Sequence, residues 1–238
     1  MPVLNNSRFV SEAIKSFNQQ SYDNRELIIK DGASTDGTLS IISSYSCDKI
    51  VCETEPDSGI YNALNKGIET STGDVIGFLH SDDVLYNDRV LSDILSCFIN
   101  HNVDVVYGDL IMVDRFNGKV IRKWRPSNFA PWKLFFGWAP GHPAVFYRRS
   151  VFEKHGQFDE TLRISSDYDY LLRVFSDQSL KFYYYPKILC KMRLGGTSTN
   201  RSFAWRKLIE DYVVVKRYNR FGFITIFFKK VFKITQFF

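Results

Sequence analysis

Val75-Ile76-Gly77-Phe78-Leu79-His80-Ser81-Asp82-Asp83 joins an apolar run of strand length to two consecutive carboxylates. In an open α/β sheet, ligands bind beyond the carboxyl ends of the strands, so acids at the end of a buried strand face the cleft. The residues before this run supply the rhythm that makes it a strand. Residues 26–30 and 49–53 read as two further short strands, and helices are expected over 7–17, 38–45 and 59–69. Ser7 is the expected cap of the first helix, whose apolar positions Phe9, Val10, Ala13, Ile14 and Phe17 recur at helical spacing. Strands alternating with helices imply an α/β fold with a mostly parallel sheet and helices on both faces.

Downstream the pattern loosens. Residues 103–107 read as a strand and Phe116-Asn117-Gly118-Lys119 as a hairpin turn, while 180–185 and 188–194 suggest a second strand pair. No repeat or low-complexity linker interrupts the chain, so residues 1–199 read as one domain and 200–238 as a basic, aromatic helical tail.

Composition narrows the function classes. At 45% hydrophobic and 24% charged over 238 residues, the chain is neither disordered nor a coiled coil. Its net charge of +5 is unevenly placed: the stretch from Arg201 onward carries nine basic and two acidic residues, a net of +7, and the rest is −2. An acidic body with no nucleic-acid-binding motif argues against a nucleic-acid partner. Four scattered cysteines (Cys47, Cys52, Cys97, Cys190) form neither a disulfide framework nor a zinc spacing, which fits a reducing cytoplasm. No charged-then-apolar leader opens the sequence, and no apolar run is long enough to span a bilayer. Drawn as a helix, the C-terminal segment puts Ile224, Phe227, Phe228, Val231, Ile234 and Phe238 on one side and Lys229, Lys230, Lys233 and Gln236 on the other. Such a helix suits either an anionic membrane interface or packing on its own domain.

Four clusters carry candidate chemistry. Asp82 and Asp83 offer hard oxygen ligands of the kind Mg²⁺ and Mn²⁺ take, or simply complement the N-terminus of the following helix. Asp31, opening Asp31-Gly32-Ala33-Ser34-Thr35-Asp36-Gly37-Thr38, either accepts turn hydrogen bonds or meets a nucleobase or ribose, while Asp36 is a candidate helix cap. In the run 55–67, Asp57 or Ser58 caps a helix that Asn65, Lys66 and Gly67 end, which would bring Lys66 or Asn65 toward a bound diphosphate. Asp167 and Asp169, two apart, cannot share a helix face, and Asp167 at the helix start is the better candidate base. His142, in Gly141-His142-Pro143, lies in a loop where it can reach a substrate or serve structure alone.

In order and spacing these pieces resemble the family-two inverting glycosyltransferases of the GT-A fold, of the bacterial surface-polysaccharide type. The similarity runs in one register from about Val3 to Thr199 and includes the 31–38 loop, the run 57–67, Ser81-Asp82-Asp83, Gly141-His142-Pro143, Gly156-Gln157-Phe158-Asp159, Asp167-Tyr168-Asp169 and Arg193-Leu194-Gly195-Gly196. The resemblance implies that Asp82 holds a divalent metal, Mn or Mg, bridging a nucleotide-sugar donor's diphosphate, with Asp83 beside it. Asp31 and Asp57 would contact the nucleotide, Lys66 and Arg193 would join the donor-binding residues, and Asp167 would be the general base. Direct displacement onto a saccharide or lipid-linked saccharide acceptor would follow, in a cytoplasmic protein peripheral to the inner face of the cell membrane.

Two departures modify the expectation. His80 stands where the family usually has Asp or Asn, and the sequence opens at Met1-Pro2-Val3-Leu4-Asn5, the turn that follows the family's first strand. That central strand is therefore expected to be missing. An upstream start would restore it, and without it the expected alternative is a nucleotide-binding GT-A-like protein that lacks turnover.

Overall fold

The computed structural model describes residues 1–45, 47–195, 204–218 and 222–234. Its first half runs β1 (Pro2–Val3), α1 (Val10–Asn18), β2 (Leu27–Asp31), α2 (Thr38–Ser43), β3 (Ile50–Thr54), α3 (Ile60–Thr70), β4 (Val75–Gly77), β5 (Val84–Leu85) and α4 (Val90–His101). The second half continues with β6 (Val105–Val113), β7 (Val120–Trp124), α5 (Trp132–Phe135), β8 (Val145–Arg148), α6 (Arg149–His155), α7 (Ser166–Phe175) and β9 (Phe182–Arg193). Two helices, α8 (Ala204–Tyr218) and α9 (Gly222–Ile234), follow.

Leu27, Ile28 and Ile29 are all buried, the pattern of a strand covered on both faces, and β2 accordingly lies between β1 and β3, parallel to each. The first strand, expected to be missing, is present as the two residues of β1, paired Pro2 with Lys30 and Val3 with Asp31. The ladder runs on through the Met1 carbonyl, which accepts from Lys30 N–H (3.0 Å), and the Val3 carbonyl, which accepts from Gly32 N–H (2.9 Å). The second sheet is mixed, in the order β4-β8-β6-β9-β5 with β7 on β6. Its centre is β6, nine residues buried throughout and parallel to β9. Tyr107, Tyr147, Phe152, Phe158 and Tyr170 pack between this sheet and α3, α6 and α7, and Val10, Ile14, Ile29 and Ile42 fill the space under the parallel sheet.

Three local expectations are corrected. Ser7 does not cap α1: the helix starts at Val10, so the cap position is Phe9, without a side-chain bond, and the Ser7 N–H donates to Asp36 Oδ2 (3.0 Å). The pair of strands at 180–185 and 188–194 is one strand, β9. Pro186, which has no N–H to give a ladder, is absorbed where the partner of β6 jumps from Tyr185 (opposite Gly108) to Ile188 (opposite Asp109). The helix expected over 59–69 is α3, Ile60–Thr70, but Asn65, Lys66 and Gly67 do not end it, since Asn65 and Ile68 are buried and keep the helix docked.

The expected hairpin turn is present. Asp114 and Lys119 close it between β6 and β7, with Asp114 N–H donating to the Lys119 carbonyl (2.8 Å).

Candidate active site

The ends of β4 and β6, the strand β7, the helix α5 and the start of α7 enclose one cleft of about 1370 Å³. Asp82 and Asp167, distant in sequence, both line it, as do Asp57, Asp83, Arg193 and His142.

Short segments stitched across the chain build the cleft's first wall. Asn5, in the left-handed region (φ 48°), donates its N–H to Ser34 Oγ (2.8 Å) and accepts Thr35 N–H at Oδ1 (2.8 Å). Next to it, Asn6 donates from Nδ2 to Ser81 Oγ (2.8 Å), which ties the opening turn to the acidic motif. Asp57 accepts Gly59 N–H (2.9 Å) at the start of α3 and faces the cleft. Asp31 is buried, with Oδ2 accepting Ser34 N–H (2.9 Å) and Oδ1 the Ser34 hydroxyl (2.5 Å), so its carboxylate shapes the 31–38 loop and does not itself line the cleft. Lys66 also lies outside the lining: its ammonium meets Glu55 Oε1 at 2.7 Å. Lys66 is thus not among the residues that line the cleft where a diphosphate is expected.

The two carboxylates after β4 sit differently. Asp82 faces the cleft with Arg115 Nη1 at 3.5 Å. Asp83 is buried, and its Oδ1 accepts the Arg193 N–H (3.0 Å). Burial, and then the neighbouring Asp82 charge, push the Asp83 carboxyl well above the usual carboxylate range, against the opposing effect of Arg193. The Arg193 guanidinium donates to the Asp82 carbonyl (2.7 Å) and pairs with Glu12, which fixes it along the same wall. Two adjacent hard carboxylates, one open to the cleft and one buried behind it, are of the kind a divalent cation takes. Among the described residues no group of three or more His, Cys, Asp or Glu could hold one, so solvent or a bound diphosphate would complete its shell.

Asp167 occupies the first turn of α7 on the facing wall. Its Oδ1 accepts Tyr168 N–H (2.8 Å) and the Tyr61 hydroxyl (3.2 Å), which is shared with the Ile164 carbonyl (2.7 Å). Burial, and then the Asp167 charge, hold the Tyr61 phenol well above its ordinary value, so it remains a donor. Asp169 points the other way, fully buried between Arg173 Nη2 (2.6 Å) and Arg217 Nη1 (2.9 Å). The two-residue spacing thus divides the pair as expected, with Asp167 in the cleft and Asp169 in the frame.

Some residues gain a place that sequence reasoning gave them only weakly or not at all. Glu210 on α8 reaches back to accept the N–H groups of Arg163 (3.2 Å), Ile164 (2.8 Å) and Ser165 (3.0 Å), capping the entry to α7 and so aiming Asp167. Only its position three residues after Lys207 in a basic stretch was visible beforehand, which says nothing of that contact. Lys229, expected on the polar side of an amphipathic helix, is turned inward. It pairs with Asp211 (3.0 Å), stands over the Tyr168 ring and lines the cleft, because the face of α9 toward the body carries Thr225 and Ile226 while Phe223, Ile224 and Phe227 face out. Gly196 and Phe238, which also figured in the sequence reading, lie outside the described residues, and so do the side chains of Lys230, Val231, Lys233 and Ile234.

His142 lies at the cleft floor, stacked on Phe78 (4.7 Å between centroids), and neither ring nitrogen has a hydrogen-bond partner among the described residues. Gly141 makes this possible, since a Cβ there would lie 2.1 Å from Leu110 Cδ2. Burial lowers the imidazole pKa to about 4, only partly opposed by Asp167. Above the ordinary value near 6.5 the ring is neutral folded or unfolded, and between there and about 4 only the unfolded chain takes up the proton. Stability is therefore expected to fall with pH in that window, by about 1.4 kcal/mol per unit from this group. His80, lowered by burial in the same direction, adds its own slope. Urea unfolding of the parent and His142→Phe at pH values across the window checks this; parallel curves would contradict it.

The family model described as "Glycosyl transferase family 2" matches residues 1–162. A "PGL/p-HBAD biosynthesis glycosyltransferase" of Mycobacterium bovis is 30% identical over 210 residues, covering 83% of this chain and 77% of the relative. An uncharacterized glycosyltransferase of Rickettsia prowazekii is 30% identical over 85% of this chain and 65% of its own. Among solved structures, S. aureus TarS 1-349 in complex with UDP-GlcNAc superposes with a TM-score of 0.73 at 19% identity, covering 90% of this chain and 62% of that one. The mannosyltransferase PcManGT of Pyrobaculum calidifontis, in complex with GDP-Man and Mn²⁺, gives 0.68 at 18%, covering 94% and 66%. This chain thus spans less than two thirds of the length of either solved structure, and at such identities the likeness speaks to the fold, GT-A. With the family model over most of the chain and a relative of 30% identity matched over most of both lengths, the chain belongs to glycosyl transferase family 2.

Proposed function

We propose that this chain moves a sugar, with inversion, from a nucleotide-sugar donor to a hydroxyl of a saccharide acceptor, a lipid-linked one, at the inner face of the cell membrane. The observation that carries the reading is the meeting of Asp82 and Asp167 on one cleft. Solved relatives bound to UDP-GlcNAc and GDP-Man, and a curated relative named for PGL/p-HBAD biosynthesis, support a nucleotide-sugar donor and a glycan product.

Asp167 takes the proton of the acceptor hydroxyl as that oxygen attacks the anomeric carbon from the face opposite the diphosphate. The carbon–oxygen bond to the diphosphate breaks, its electron pair leaves with the nucleoside diphosphate, and the configuration inverts. The Tyr61 hydroxyl and the Tyr168 N–H orient the accepting carboxylate, and Glu210 holds the turn on which it stands. Asp57 serves the nucleotide end of the cleft, Asp31 serves it through the loop it folds, and Arg193 steadies the wall that carries Asp82 and Asp83. Asp82, with Asp83 beside it, would hold Mg²⁺ or Mn²⁺, which when bound neutralises charge growing on the leaving diphosphate.

A panel of nucleotide sugars incubated with the chain and Mn²⁺, with release of nucleoside diphosphate followed, tests the reading. Hydrolysis or transfer with one donor is expected. Binding of nucleoside diphosphates with no turnover of any donor would favour the inactive alternative.

A further inference from the structure

The outward faces of α8 and α9 carry large apolar side chains that no described residue covers. Trp205 is 78% exposed, Ile209 60%, Phe223 75% and Phe227 63%, and Trp132 on α5 is 63% exposed at the rim of the cleft. Spacings of four residues put Trp205 with Ile209, and Phe223 with Phe227, on single helix faces. Ring contacts join the pieces into one surface. Trp132 touches Phe136 (5.9 Å), Phe136 touches Phe228 (4.9 Å), Phe228 touches Phe227 (5.7 Å), and Phe223 meets Tyr212 of α8 (4.5 Å). Contiguous exposed apolar surface of this kind marks an interaction site.

Charge identifies the occupant. The only acids after Arg201 are Glu210 and Asp211, and both are buried against the start of α7 and Lys229. Among the described residues of this stretch, the exposed charged side chains, Arg206, Lys216 and Arg217, are therefore all positive. Cations sit directly beside the rings: Lys133 Nζ lies 5.7 Å from the Trp132 ring and Lys216 Nζ 5.3 Å from the Tyr212 ring. A second copy of the chain would set two such basic surfaces against each other, which like-charge repulsion opposes. A bilayer with anionic headgroups accepts aromatic rings at headgroup depth and lysines among its phosphates at once.

We propose that the α5–α8–α9 face docks on an anionic phospholipid bilayer, with Trp205, Ile209, Phe223 and Phe227 at headgroup level. Trp132 and Lys133 on the same surface also line the cleft, so docking brings the cleft mouth beside the lipid. The inference deepens the reading of a lipid-linked acceptor and rests on it for its purpose, though not for its evidence.

The test is co-sedimentation of the full chain with vesicles of phosphatidylcholine alone and of equal parts phosphatidylcholine and phosphatidylglycerol. Binding to the anionic vesicles, weakened by salt, is expected, and Trp205→Ser/Phe223→Ser/Phe227→Ser should lose at least roughly ten-fold in partition. Unchanged thermal unfolding and donor hydrolysis in that variant confirm an intact body. Equal partition of parent and variant, or a parent that ignores phosphatidylglycerol vesicles, overturns the proposal. A concentration-dependent dimer in sedimentation velocity that the triple variant abolishes would assign the face to a second copy and overturn it too. Should anionic vesicles bind while no lipid-linked acceptor is used, the acceptor reading fails and the docking face stands.

Discussion

Asp167→Asn is expected to cut kcat by roughly 10²- to 10⁴-fold, the usual worth of a positioned general base. The substitution is nearly isosteric, and the amide oxygen still accepts from Tyr168 N–H and the Tyr61 hydroxyl, so unfolding free energy should stay within about 1 kcal/mol of the parent. Donor affinity should hold, because the proposed diphosphate site, at Asp82, is on the opposite wall. Asp169→Asn supplies the contrast. It sacrifices ion pairs with Arg173 and Arg217 in the frame, so its loss should appear in thermal stability first. Initial rates at saturating donor, with donor affinity measured separately, distinguish the two. A kcat for Asp167→Asn within ten-fold of the parent would place the base elsewhere in the cleft.

The division of labour between Asp167 and Asp169 was legible in the sequence because it depends only on helical geometry, in which residues two apart diverge. The strands were legible for a similar reason: the expected runs at 26–30 and 49–53 fall within one residue of β2 and β3, since short apolar runs framed by polar turns have few other uses. What failed were contacts fixed by distant segments. Nothing near Ser7 announces that its N–H is taken by Asp36, and nothing near Lys229 announces Asp211 and the Tyr168 ring. The candidate site divides the same way. Carboxylates at strand and helix ends could be named from position alone, whereas the Glu210 cap on α7 and the burial of His142 required the packing of α8 and the close passage of Gly141 by Leu110.

The neighbouring acids after β4 lead to the second large effect. Asp82→Asn should lower kcat/KM by roughly 10²- to 10³-fold and blunt the response to added Mn²⁺, because it removes the cleft-facing negative charge opposite the donor's leaving group. Asp83→Asn should cost far less. That carboxyl is buried, is held above its ordinary pKa by burial and by Asp82, and has its visible bond to Arg193 N–H, which an amide oxygen can accept equally well. Removing one of two crowded charges should leave stability equal or slightly raised. A metal titration after chelation with EDTA reads both variants: the parent and Asp83→Asn should regain activity as Mn²⁺ is restored, and Asp82→Asn should not. The structure also supplies the condition under which this fails. Arg115 stands 3.5 Å from Asp82, a fixed positive charge on the same wall. If the parent is indifferent to EDTA, neutralisation of the diphosphate falls to arginine, and Arg115→Ala should then carry the loss expected for Asp82→Asn.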